Sequence, residues 1–393
     1  MCTQFYFDYA ATTPVKKEVL EEMLPFFNAN FGNPSSIYNI GRRGKNAVDI
    51  ARDRIAKTLN SKSEEIFFTG GGSESDNWAI KGVAFANKDK GNHIITSKIE
   101  HHAVLQTCKY LEQEGFEVTY LGVDKYGLVS GDDLKNAIRD DTILISIMYA
   151  NNEIGTIQPI KELAGIAKEK GIIFHTDAVQ AYGNEIIDVE DLGIDLLSVS
   201  AHKIYGPKGV GALYIRKGTK IHKLIHGGGQ EKMRRAGTEN TPGIVGFGKA
   251  AEMAYENIEE HIKRLTGLRD KLIDGIITKI EHTELNGHPT KRLPGNVNIS
   301  FEFIEGEALL LSLDMEGIAA SSGSACSSGS LNPSHVLTAT GLTHEKAHGS
   351  LRLTLGDFTT EDEIDYVIEK LQPIVDRLRN MSPLYENVRE KDE

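Results

Sequence analysis

The chain has 393 residues, 40% of them apolar and 25% charged, with a formal net charge of −12. That length is enough for two domains with a sizeable core, the composition is that of an ordinary globular protein, and the acidic balance argues against direct binding of nucleic acid, which needs a clustered basic face. The three cysteines, Cys2, Cys108 and Cys326, lie far apart without Cys-x-x-Cys or Cys/His ligand spacing, which points to a reducing compartment and to no metal site. No apolar run approaches the roughly 18 residues of a membrane helix, and the start "MCTQFYFDYAATTP" has neither a basic segment nor a long apolar one. The expectation is a cytoplasmic protein without a membrane segment.

From about residue 45, short β-branched or aromatic runs alternate with longer helical ones, the pattern of an α/β protein with a mainly parallel sheet covered on both faces. The spacing predicts strands over 66–70, 93–97, 117–123, 142–150, 172–177, 196–200 and 210–216. The alternation then stops, and about forty residues from "GTENTPGIV" to "RDKLIDGI" read as one long helical stretch linking a large domain to a smaller one. Short strands follow in "NVNISFE" and "SLRLTLG". In the final helix Ile364, Val367, Ile368, Leu371, Ile374, Val375 and Leu378 recur at steps of three and four, so they face a core. The division expected is a large domain over 15–260 and a smaller α+β domain from 1–14 and 261–393, with a frayed charged tail past Pro383.

Cys326 stands in "SSGSACSSGS" with serine, glycine and alanine for neighbours. An inert structural cysteine sits in an apolar run; this setting instead leaves a thiol accessible, and a thiolate is a strong nucleophile once an electrophile is presented to it. A source of that electrophile is suggested by Lys203. It follows the apolar strand at 196–200 and precedes a Gly/Pro turn, in the region beyond strand C-termini where open α/β sheets collect ligands. Burial there makes the amine usable and suits covalent attachment of pyridoxal phosphate. Asp177 and Gln180 share that rim; Gly72 and Ser73 lie between a strand and a helix N-terminus, where backbone N–H groups favour a phosphate; and His101 comes just after another strand. Taken singly, Asp177 is also compatible with a helix cap, the glycines with a turn, and His101 with a loop histidine.

The motifs "FDYAATTPV", "NPSS", "SESDN", "EHHAVL", "NNEIGTIQP", "HTDAVQ", "SAHKIYGPKGVG", "GGGQE", "RAGTEN", "SSGSAC" and "SLRLTLG" span nearly the whole chain. Together they resemble the cysteine desulfurases of the nitrogen-fixation and iron-sulfur-cluster type, in the class V pyridoxal-phosphate aminotransferase family. The resemblance implies pyridoxal-phosphate fold type I, aspartate-aminotransferase-like, with a mainly parallel seven-stranded sheet in the large domain. It implies pyridoxal 5'-phosphate carried by Lys203, its ring nitrogen paired with Asp177, its phenolic oxygen reached by Gln180 and its ring covered by His101. The phosphate would be held by Ser73, Ser200 and His202 beside Gly72, where many relatives have alanine. Thr238 matches a residue that in relatives reaches the partner subunit's phosphate site, implying a homodimer. Asn152 and Arg352 match the positions that grip the carboxylate of L-cysteine, and Cys326 matches the sulfur acceptor, with an iron-sulfur scaffold protein as the implied partner.

One fold hosts many chemistries, so a selenocysteine lyase or small aminotransferase on the same fold, and a non-catalytic scaffold-binding protein, are the readings to be separated. Arg352 lies in an apolar strand, where it needs either a ligand or a buried acidic partner.

Overall fold

The structure is a computed structural model, in which residues 4–322 and 333–386 are described. In chain order its strands are β1 (Phe5–Tyr6), β2 (Ile66–Thr69), β3 (His93–Ser97), β4 (Glu117–Leu121), β5 (Thr142–Ser146), β6 (Ile173–Asp177), β7 (Leu196–Ser200), β8 (Gly211–Ile215), β9 (Thr283–Leu285), β10 (Asn296–Phe301), β11 (Ile318–Ala319) and β12 (Ser350–Thr354). Each of the seven runs predicted between residues 66 and 216 forms a strand of one sheet, in the order β2-β8-β7-β6-β5-β3-β4. Neighbours from β7 to β4 pair in parallel, and β8 runs antiparallel to both β7 and β2. The architecture is therefore the mainly parallel α/β sheet that the alternation predicts.

The central strands are buried along their whole length because helices cover both faces. One face packs Ile145, Phe174, Leu197 and Tyr214 against Ile55, Leu163 and Phe247. The other packs Phe67, Leu144 and Leu213 against Trp78, Ile80 and Leu111. The chain goes outward from β3 to β4 and then crosses back to β5 on the other side of β3. The loops after β3 and β5 consequently diverge and leave a crevice at the strand C-termini.

A second core lies around the antiparallel sheet β12-β10-β9 and gathers Leu272, Ile276, Ile299, Phe301, Leu353, Ile364 and Leu371. The N-terminus joins it, with β1 pairing in parallel with β11 and Phe7 fully buried. The final helix Glu361–Asn380 opens with a capping box between Thr360 and Glu363 and buries the predicted stripe from Ile364 to Val375.

The long helical stretch is where the sequence reading is corrected. It divides at Asn257 (φ −136°, ψ 43°) into helices Thr241–Glu256 and Ile258–Lys279. The first turns Ile244, Phe247 and Ala251 onto the sheet core and the second turns Leu265, Leu272 and Ile276 onto the other core. A single straight helix could not direct one apolar stripe at two separate cores. Among the described residues no helix is long and apolar enough to cross a membrane.

Candidate active site

Strands β3, β5, β6 and β7 deliver their last residues to one rim. Asp177 ends β6, nearly buried, and its Oδ1 accepts a hydrogen bond from Val179 N at 2.9 Å. Burial raises its pKa, while His101 and Lys203 pull the other way. Lys203 closes the short turn Ala201–Lys203 after β7, and its Nζ donates to the carbonyls of Ala10 at 2.5 Å and Ala11 at 2.7 Å. Gln180 Nε2 donates to the same Ala10 carbonyl at 2.9 Å, so one N-terminal peptide group collects two rim side chains. His101 caps the helix His102–Gln113, its Nδ1 accepting from Ala103 N at 3.1 Å. Burial lowers the His101 pKa, and in the neutral ring the capping bond leaves the proton on Nε2. Asp76, His101 and Asp177 each offer an atom within 4.8 Å of the others'.

A second part of the rim has the form of an anion cradle. After β2 the chain passes through Gly70 and Gly71 into the helix Gly72–Ala86. Gly71 has φ +147°, open to glycine alone. A Cβ on Gly72 would lie 2.7 Å from Val179 Cγ2, so the missing side chain lets the turn after β6 pack this closely on the loop, while Ser200 Cβ at 3.8 Å is in ordinary contact range. Ser73 is exposed in the first turn, and Ser200 is buried at the end of β7. His202 Nδ1 lies 3.2 Å from Thr12 Oγ1, and burial lowers its pKa to about 4. Glu74 ties the loop down: it accepts from Gly70 N at 2.8 Å and pairs with Arg235. Thr238 is exposed and lines a cleft with Gly70, Gly209 and Arg235.

The third part comes from β12 and the loop after β5. Arg352 is 2% exposed; its Nη2 pairs with Asp8 Oδ1 at 2.8 Å, its Nη1 donates to Asn152 O at 3.2 Å, and its Nε has no partner among the described residues. An acidic partner for this arginine is thus present, though half-buried, supplied by the "FDYAATTP" segment. Asn152 meets Arg352 through its carbonyl. Cys326 lies outside the described residues. The residues on either side of its segment are anchored: Ser321 exchanges backbone hydrogen bonds with Arg352, at 3.2 and 2.7 Å, and the Ser334 hydroxyl donates to Glu153. Burial pushes the Glu153 pKa up to about 7, against the Ser334 bond and the Arg352 charge. A cavity of about 230 Å³ beside the rim is lined by Tyr9, Gln180 and Lys203 and does not reach Asp177 or His101.

Sequence reasoning missed Asp8, Asp76, Glu100 and Glu153. All four stand inside quoted motifs, so the signal was present, but their burial depends on contacts between distant segments.

A crevice at the strand ends holding a lysine, a buried carboxylate and a glycine cradle defines a class of protein: the chain belongs to the family described as Aminotransferase class-V, whose pattern matches residues 5–367. The relatives are more particular. The protein named Cysteine desulfurase IscS of Methanosarcina thermophila is 66% identical over 379 residues, 96% of this chain and 94% of that protein. A solved structure of a NifS-like protein superposes with a TM-score of 0.90 at 42% identity, covering 96% of this chain and 100% of the other. Another, described as SspA in complex with cysteine, gives 0.81 at 42% identity, covering 91% and 100%.

Proposed function

We propose that the chain is a cysteine desulfurase: it converts L-cysteine to L-alanine and passes the sulfur to Cys326 as a persulfide, for iron-sulfur cluster assembly or another thiolation pathway. The desulfurase name at 66% identity and the cysteine-bound neighbour at 42% support the reading. The observation that carries it is the anchoring of the residues flanking the Cys326 segment, Ser321 on Arg352 and Ser334 on Glu153. A non-catalytic assembly protein has no use for a thiol segment rooted on the same rim as Lys203 and Asp177.

The donor set fits pyridoxal 5'-phosphate. Lys203 would carry it, Asp177 would face its ring nitrogen, Gln180 its phenolic oxygen and His101 its ring face, with Ser73, Ser200, His202 and the backbone at Gly72 around its phosphate. When bound, the cofactor supplies an electron sink for the substrate's carbon skeleton. The chain's own residues do the rest. Arg352, with its planar fork, and Asn152 orient the substrate carboxylate, and neutral His101 offers an N–H at Nε2. The Cys326 thiolate accepts the sulfur. Cys108 is no competitor, since burial raises its thiol pKa far from neutrality.

Leu20, Leu24, Phe27, Phe31 and Ile37 expose an apolar face that a second copy would cover, in keeping with a homodimer to which Thr238 contributes. The change of core between Phe247 and Leu265 supports a division near residue 260 into a large domain and a smaller one. A cytoplasmic setting agrees with the free Cys108.

The test is incubation of the purified protein with L-cysteine, measuring alanine and locating the added sulfur by mass spectrometry. Alanine with sulfur on Cys326, and no persulfide in Cys326→Ser, is expected. Sulfur on Cys2 or Cys108 refutes the role of the segment, and conversion of cysteine to its keto acid without alanine, unchanged in Cys326→Ser, points to a small aminotransferase. Preference for selenocysteine over cysteine in direct competition points to a lyase.

A further inference from the structure

The helix Gly72–Ala86 carries a second carboxyl to the side of Asp177. Asp76 is 1% exposed, and its Oδ1 has no hydrogen-bond partner among the described residues. That atom lies 3.7 Å from His175 Nε2. Asp177 and His175 face it from β6, two residues apart and so on one side of the strand. From β7 comes Ser198, opposite Asp177 in the sheet register, with its Oγ 3.0 Å from His175 Nε2. The other ring nitrogen of His175 lies 2.8 Å from Ser146 Oγ of β5. Glu100 and His101 approach from the loop after β3, Lys203 from the turn after β7 acts on Asp177, and Glu74 on Asp76's own helix is engaged by Arg235.

Two carboxylates this close in a dry interior do not both ionise. The partners decide which keeps the charge. Asp177 has a backbone N–H donor in Val179 and feels both His101 and Lys203. Asp76 has the Ser198 hydroxyl and no cation: His175, the ring nearest to it, is held neutral by burial, its pKa lowered to about 3. Burial first, and the Asp177 charge second, push the Asp76 carboxyl well above the usual carboxylate range.

We propose that Asp76 is a positioning residue that works as a neutral carboxylic acid, keeping its proton so that Asp177 alone carries the negative charge facing the cofactor's ring nitrogen. The inference rests on the cofactor reading of Asp177 and deepens it. A proton on the Asp76 carboxyl removes a buried negative charge that neutral His175, 3.7 Å away, does not offset.

The proposal has a consequence for stability. An unfolded chain releases this proton above about pH 4, whereas the folded protein retains it, so the contribution to stability falls as pH rises toward the folded-state value. Asparagine at the same place has no proton to lose. The test compares full-length holoenzyme, wild type and Asp76→Asn, by melting from about pH 5 to about pH 9 and by infrared difference spectroscopy near neutral pH. The expected result is a variant Tm that gains on wild type by a few degrees as pH rises, with the loss of one protonated-carboxyl C=O band. A Tm gap that does not change with pH, or no lost band, as an ionised Asp76 beside a protonated His175 would give, overturns the proposal. If Asp76→Asn does not fold, Asp76→Leu, equally uncharged, is melted against wild type with the same two outcomes. Failure of the cofactor reading shows separately, as wild-type protein without bound pyridoxal phosphate absorbance, and removes the ring-nitrogen half of the proposal.

Discussion

Two residues that carry charge stand in largely buried strands, and the protein holds them by opposite means. Arg352 on β12 is held by an opposite charge, Asp8, contributed by a segment 344 residues away. Asp177 at the end of β6 has no cation within salt-bridge distance among the described residues; it is held by a backbone N–H, by Lys203 and His101 acting at a distance, and by neighbours that stay neutral. A residue paired in the resting protein must give up or share its partner to take a ligand. One kept unpaired is ready for a ligand and costs stability until it arrives.

The strongest way to break this contrast is at the ligand side of Asp177. Lys203→Ala is expected to abolish alanine formation, because no other amine on the rim replaces it; normal alanine production in the variant would remove Lys203 from the chemistry. Next comes Arg352→Lys, which keeps the charge beside Asp8 and loses the fork. A charge-assisted bidentate contact contributes about 1.5–3 kcal/mol, so kcat/KM for cysteine should fall roughly ten- to a hundredfold. A large drop in Tm with near-normal kinetics would instead assign the arginine to the Asp8 pair alone. Asp8→Asn sharpens the same question with a smaller effect. The guanidinium loses its competitor, so KM for cysteine should fall a few-fold while Tm also falls, and an unchanged KM would show that substrate does not compete with Asp8.

The smallest effect is a slope. The Glu153 carboxyl, raised by burial to about 7, keeps a proton that the unfolded chain releases above about pH 4.3. Its contribution to stability therefore declines as pH rises through that window and is level above it. Glu153→Gln should flatten this part of the Tm-against-pH curve, and a curve parallel to wild type would place Glu153 outside the titration.

Much of the sheet was legible because its strands are short apolar runs bounded by turns, and because the candidate site side chains follow directly at their C-terminal ends. Lys203 after 196–200 and Asp177 at the end of 172–177 are cases of one rule. What was not legible depends on distance or depth. Nothing local says that β8 runs antiparallel between β2 and β7, or that the helical stretch must break at Asn257 to serve two cores. "SESDN" reads as a polar, solvated helix start, yet Ser75 and Asp76 are buried, because that end of the helix is set into the sheet. The partner of Arg352 could be posed as a question from sequence, and the answer lay at the opposite end of the chain.

Residues 8–12 touch every part of the rim. Asp8 pairs with Arg352, Ala10 and Ala11 receive Lys203, Ala10 also receives Gln180, and Thr12 meets His202. During synthesis this stretch leaves the ribosome before any of those partners, and Arg352 is the last of them to follow. Closing contacts across separations of 193 and 344 residues must bear its loop-closure entropy before the contacts return any stabilisation. Residues 8–12 are therefore among the last to find their places, and a folding chain can finish its sheet well before it has a finished site.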